Sequence, residues 1–409
     1  MPIVLVLLRI SWMVVVLKDF FTTVITKHLP KIVVAMSVVI VFIILFVLAH
    51  GGSPAEEVET NSLLEYSTAR ILRVVADNTV ADPYWQGRDD VRRGTITFEI
   101  EVLSGTFAGE TLEAHYHMSS PVNVNFEVGD RVSARIFEFQ GEIRMTEIRY
   151  PERTGLLIGA IIVFLVFLCI VGGKRGVLAT AGLIFTVACV MLLLIPLINQ
   201  GYPVVLMTLI ILSLVTVATI TLLAGMTVKG IAAILGSLSG VGLAAIFAMI
   251  TSGLLNVSGY NMVNYRAVIH LSMGAQINGL FVSSVLVAAI GAIMDASMSV
   301  ASAMNEVKLA NPDINMRDLF KAGFNVSRDV MGTMSSTLIL AFIGGSLAMM
   351  IFMYVTDVSF NQFINNNLIV MEVIKGIAGS FGIILAAPLT AVIAAKMLNK
   401  KTKEVNKHG

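Results

Sequence analysis

Apolar and polar positions alternate in two different rhythms along the chain, and the change of rhythm divides it into parts. An unbroken apolar run over 32–49 is long enough for a membrane helix, which needs about 20 residues. Residues 53–153 then switch to period-two alternation. Thr95-Ile96-Thr97-Phe98-Glu99-Ile100-Glu101-Val102 puts Ile96, Phe98, Ile100 and Val102 on one face of a strand and the polar residues on the other. Similar runs over 66–75, 111–118, 131–139 and 142–150, separated by Ser104-Gly105, Pro121 and Gly129-Asp130, predict about five short strands and a small, OB-like barrel. From 155 onward long apolar runs return, at 155–172, 177–198, 204–223, 231–251, 278–298, 334–355 and 373–397. Counting 32–49, the pattern predicts about eight membrane helices with the all-β domain between the first and second. Residues 1–31 read as an interfacial or cytoplasmic segment, because the apolar stretch 1–17 is short and is cut by Arg9. Residues 398–409 read as a basic tail.

Composition agrees with this division. Of 409 residues 56% are hydrophobic and only 13% charged, half the charged share of a soluble domain, about 25%. Mean hydropathy is +0.85. The formal net charge of +1 conceals an asymmetry that orients the chain. Lys27 and Lys31, Lys174 and Arg175, Lys229, the group Lys308, Arg317, Lys321 and Arg328, and the tail lysines Lys400, Lys401, Lys403 and Lys407 all fall on one side of the predicted helices. Among the short loops opposite, only the one holding Arg266 carries a basic residue. The positive-inside bias therefore predicts a cell-membrane protein with both termini cytoplasmic and the β domain extracytoplasmic. Every Lys or Arg in the β domain is an arginine and acids outnumber them, which argues against a nucleic-acid surface. Cys169 and Cys189 both lie in apolar runs and form no Cys-x-x-Cys motif.

Candidate chemistry collects in 291–347. At 100° per residue Asp295, Met298, Ser299, Ser302, Asn305 and Glu306 share one helical stripe, and Asp329, Gly332, Thr333 and Ser336 share another. Ionisable groups inside membrane helices are expensive, and a carboxylate there can bind or pass a proton or cation. Asp295 with Ser299, Ser302, Asn305 and Glu306, and Asp329 with Thr333 and Ser336, are therefore the expected ion-coupling residues. For Asp329 a second explanation competes: a carboxylate capping the start of the span at 334. Between the stripes, Asn311-Pro312-Asp313 should break the helix, and Met316, Leu319, Phe320 and Phe324 opposite Arg317, Asp318 and Lys321 predict a short amphipathic helix over 313–326 on the inner membrane surface.

Smaller features are read as structural. Gly236 and Gly240 form a GxxxG packing step, Pro388 should kink the last span and free a carbonyl, and Glu372 with Lys375 should form a rim ion pair. Loop 256–266 reads as an interface-following segment. His115 and His117 lie two apart on one strand face, where two imidazoles can share a metal; with no third ligand evident they read as two surface histidines, and no metal or cofactor is expected. The chain has no P-loop, HExxH or Gly-x-Ser-x-Gly, and no catalytic pair, so it is not expected to be an enzyme.

The paired stretches Met294-Asp295-Ala296-Ser297-Met298-Ser299-Val300-Ala301-Ser302 and Arg328-Asp329-Val330-Met331-Gly332-Thr333-Met334-Ser335-Ser336-Thr337-Leu338-Ile339-Leu340-Ala341-Phe342 resemble the YibE/F family of bacterial multispan membrane proteins. The resemblance extends over most of the chain and implies topology rather than activity: an N-terminal anchor, an extracytoplasmic β segment and the later helices. The intramembrane stripe leads to an expected secondary transporter or permease, with the bilayer and an unknown small solute or ion as partners. The competing expectation is a non-transporting scaffold or sensor whose β domain binds a cell-envelope partner. A membrane-protein partner or a second copy of the chain is expected in either case, and nucleic acid in neither.

Overall fold

The computed structural model describes residues 36–50, 62–82, 92–118, 124–262 and 278–408. The interfacial segment expected over 1–31 and the latter part of loop 256–266 lie outside them. The chain forms two units, Ser53–Leu168 and Met1–Gly52 with Cys169–Gly409.

The first unit is a small β barrel. Strands β1 (Ser62–Asp77), β2 (Val80–Ala81), β3 (Arg92–Val102), β4 (Thr111–Met118), β5 (Arg131–Phe139) and β6 (Glu142–Pro151) form one sheet in the order β1-β5-β6-β4-β3-β2. A further antiparallel pairing of β1 with β3 closes it, leaving the two-residue β2 on the margin. All pairings are antiparallel except β4 with β6, which meet in parallel at His115 and Glu147. The alternation read from the sequence sets the core: Phe98, Ile100, Ala114, Tyr116, Val132, Ala134 and Ile148 are buried inside. The β5–β6 hairpin turns on Gln140 and Gly141, both at positive φ (56° and 82°), the backbone of a two-residue primed turn that matches strand twist.

Glu65 ties β1 to the β3–β4 loop. Its Oε1 accepts from the Thr106 backbone N–H at 2.9 Å and the Ser67 hydroxyl at 3.0 Å. Gly105 sits at φ 90°, and a Cβ there would land on this carboxylate. The hydrogen bonds from Thr106, then that of Ser67, hold the Glu65 carboxyl below its ordinary value of 4.5. A lowered folded-state pKa adds stability that is present above the unfolded value and is lost as pH falls through the folded one. Glu65→Gln should therefore be less stable than wild type at pH 7 and lose less stability between pH 5 and pH 3; thermal melts at the three pH values check this, and parallel losses would refute it.

The second unit is helical. Its elements are α1 (Met36–His50), α2 (Thr154–Cys189, entering from the first unit), α3 (Ile195–Asn199), α4 (Val204–Ala224), α5 (Val228–Leu254), α6 (Asn278–Ala310), α7 (Met316–Val355), α8 (Phe360–Ile364) and α9 (Asn367–His408). Among the described residues six helical runs are long and apolar enough to cross a membrane, and α1 is a shorter apolar helix. The first run, Thr154–Asn199, has 46 residues, about 69 Å at 1.5 Å per residue, more than twice a hydrocarbon core of about 30 Å. Gly173, at φ 54° and ψ −135°, interrupts it at the point where the sequence separates two spans. A π turn at Val190–Leu194 precedes Pro196 on the same line. Leu45 and Ala49 of α1 pack in one cluster with Cys189, Leu193 and Leu197, and Gln200 Nε2 donates to Ala49 O at 2.6 Å.

Helices α5, α6 and α9 meet through small residues. Gly236 faces Thr390, and Gly240 faces Ala386 and Gly382, so the GxxxG step is a close-approach seam. Pro388 lies inside α9, which continues on both sides of it. Glu372 and Lys375 pair at 2.7 Å.

Candidate functional site

Helix α6 buries one face and turns the other outward. Ile293, Ala296, Ser297, Val300, Ala301 and Met304 are buried, whereas Asp295, Ser299 and Glu306 are exposed and Ser302 and Asn305 half-buried. The stripe expected from the sequence is therefore a real face, on the outside of the helical unit. Asp295 is the only charged residue between Asn278 and Asn305 and sits near the middle of the 33-residue helix. Its carboxylate has no hydrogen bond or ion pair among the described residues.

Helix α7 requires two corrections. The amphipathic segment expected at 313–326 is not a separate surface helix; α7 runs unbroken for 40 residues from Met316 to Val355. Its apolar face packs on α6, with Leu319 buried among Val300, Ala301 and Met304 and Gly323 directly against the Met304 side chain. Ser327 bonds back to Gly323 O at 2.8 Å, and Gly332 is absorbed inside the helix without a break. Asp329 consequently caps nothing. The cap is Asn315, whose side chain accepts from Asp318 N at 2.9 Å, and Asp329 stands deep inside the helix, where no terminal N–H groups are free. Lys308, counted above as a loop charge, is buried and donates to Pro312 O at 2.7 Å and Ile314 O at 3.2 Å, closing the turn between α6 and α7.

The register of the antiparallel α6 and α7 follows from two contacts. Gly323 lies against Met304, and Leu338 lies level with Ala289, since a Cβ on Gly379 would touch both. Counting inward from either contact sets Asp295 level with Gly332 and Asp329 level with Met298. The two carboxylates are thus separated in height by only three residues, about 4.5 Å of helix rise. Asp329, Gly332, Thr333 and Ser336 are all exposed. The same count sets Ser299, Ser302 and Glu306 of α6 level in height with Arg328, Asn325 and Lys321 of α7.

Much of the hydroxyl capacity on α7 is spent locally. Thr333 donates to Asp329 O at 3.0 Å, Ser336 to Gly332 O at 2.8 Å and Thr337 to Thr333 O at 2.9 Å, the back-bonding common for hydroxyls in helices. The buried Ser297 and Ser335 hydroxyls make no hydrogen bond. Arg328 lies 5.1 Å from the centre of the Phe324 ring. No group of three His, Cys, Asp or Glu side chains able to hold a metal occurs among the described residues.

The sequence missed the continuity of α7, the burial of Lys308 and the partner side of the glycine seam. The first had a signal: no proline lies between 326 and 334.

Neither curated proteins nor solved structures give a significant match to the chain. A family model does, that of YibE/F-like protein, over residues 160–400. The matched region holds α3 to α8 whole, with both carboxylates and the glycine seam, and covers more than half of the sequence. This membrane protein belongs to the YibE/F-like family.

Proposed function

We propose that the chain is a permease or secondary transporter of the cell membrane, moving a small solute or ion with proton or cation coupling at the α6–α7 polar layer. One observation carries the reading: Asp295 and Asp329 stand mid-helix, at nearly one height on adjacent helices, with no counter-charge paired to either carboxylate among the described residues. A charge at the centre of a membrane helix costs about 2.5–3.5 kcal/mol; nearer the end of a span the cost is smaller, and a bound proton or cation removes it. Asp295 is the coupling group, Asp329 its companion, and Ser299, Ser302, Asn305, Glu306, Thr333 and Ser336 the polar lining. Because the layer faces outward, a second copy or a membrane partner covers it in the working assembly. No enzymatic step is assigned.

The eight-span reading is supported by α1, the interruption at Gly173 and the five later helices. The OB-like reading is supported by a barrel whose long strands close in the order first, second, third, fifth, fourth, with the third and fifth parallel. Loop charges support cytoplasmic termini and an outer β domain.

The second reading, a scaffold or sensor, is favoured by the outward direction of the stripe and by hydroxyls that already bond to their own backbone. Cysteine labelling separates the two. With Cys169 and Cys189 replaced, Ser299→Cys and Thr333→Cys should react with a membrane-impermeant maleimide in open membranes, and Asn315→Cys only after permeabilisation of cells. Reaction of Ser299→Cys and Thr333→Cys with lipid-soluble maleimide alone would place the layer against lipid and favour the scaffold.

A further inference from the structure

We propose that the outer face of the β3–β4 ladder is a binding site for a divalent transition-metal ion such as Zn2+, held by His115 and His117. The ladder pairs His117 with Thr95 and His115 with Thr97. Each threonine hydroxyl meets the Nδ1 of the facing imidazole, at 2.9 Å for His117 and 3.1 Å for His115. With Nδ1–H donating to the hydroxyl, the other ring nitrogen, Nε2, keeps its lone pair. That arrangement, one ring nitrogen anchored and the other free, is how histidines ligate metals. The two rings are 6.5 Å apart between centroids and inclined by 31°, on one face of the same strand, and rotation about their side-chain bonds is needed to bring both Nε2 atoms to one ion.

One carboxylate oxygen lies within reach of the pair. Glu147 sits beside the pair through the β4–β6 register with His115. Its Oε2 takes Arg135 at 2.7 Å and Arg149 at 2.8 Å, which fixes the group, while Oε1 lies 4.0 Å from His117 Nε2. The guanidiniums thus occupy one oxygen and leave the other toward the imidazoles. Glu113, two residues before His115 on the same outward face, adds a second carboxylate. Among the described residues no third protein ligand is gathered, so the ion is chelated by two imidazoles with waters in the remaining positions, and Glu147 Oε1 accepts a hydrogen bond from one of them. Imidazole donors select zinc, copper or nickel over magnesium and calcium, which take oxygen ligands.

The site depends on none of the residues of the α6–α7 layer and stands whether or not the chain transports. Calorimetric titration of the tag-free, full-length protein in detergent with ZnCl2 tests it. One saturable equivalent is expected, lost in His115→Ala and separately in His117→Ala, with no binding of Mg2+. Thr95→Val should weaken Zn2+ by about tenfold, the usual effect of removing an outer partner of a ligating histidine. Both histidines are exposed, so the variants should melt with wild type in the absence of zinc. Absence of saturable binding, or retention of the wild-type isotherm in either histidine variant, would overturn the proposal.

Discussion

Gly240→Val is expected to lower stability by on the order of 3 kcal/mol, the upper range for overpacking a filled core. A Cβ at Gly240 would lie 2.5 Å from the Ala386 Cβ, 2.9 Å from the Gly382 carbonyl oxygen and 3.1 Å from Ile293 Cγ2. Two of these three neighbours cannot turn aside, one being backbone and the other a Cβ fixed by its own helix. From the other side, a Cβ on Gly382 would meet Ile293 Cδ1 at 2.8 Å and the Ala244 Cβ at 2.9 Å. The substitution therefore pries α5, α6 and α9 apart together. Gly242, two residues along α5, has nothing within 4 Å of its Cβ position, and Gly242→Val is the matched control. Denaturant unfolding in detergent should show a large loss for Gly240→Val and little for Gly242→Val, with several-fold lower abundance of the former in membranes. Equal losses would mean that the seam is not the contact holding these helices.

Local pattern carried much of this fold. Strands β4 and β5 begin and end where alternation and turn residues place them, at Thr111–Met118 and Arg131–Phe139, because period-two alternation and flanking Gly-Asp or Gln-Gly turns act within a few residues. Closure of the barrel was not written locally: β1 bonds to both β3 and β5, and nothing within one strand says which two neighbours it will have. The same limit explains α7. Leu319, Phe320 and Phe324 form an apolar stripe that suits a membrane surface as well as a neighbouring helix, and only the contact with Met304 selects the helix. A separate helix there would make Asp329 a cap. With α7 continuous, capping is removed and Asp329 joins Asp295. Which residues share a stripe was legible from spacing alone; the height of one stripe against the other was not, because it depends on where Gly323 and Gly379 let side chains approach.

Asp295→Asn is the second large effect. Asparagine keeps the shape of the side chain and removes its charge and titration, so the packed face of α6, from Ile293 to Met304, is untouched and the protein should fold as wild type does. Any step that requires a proton or cation to bind at Asp295 should stop. Asp329→Asn, one turn away in height, should slow the same step without abolishing it, since the first carboxylate remains. The most direct measurement is dissipation of an imposed proton, sodium or potassium gradient in proteoliposomes, followed by a fluorescent reporter. Wild type should dissipate at least one of these gradients faster than protein-free vesicles, and Asp295→Asn should match the protein-free rate. Equal rates for wild type and Asp295→Asn, or a wild-type rate no faster than empty vesicles for all three ions, would contradict ion coupling at the α6–α7 layer.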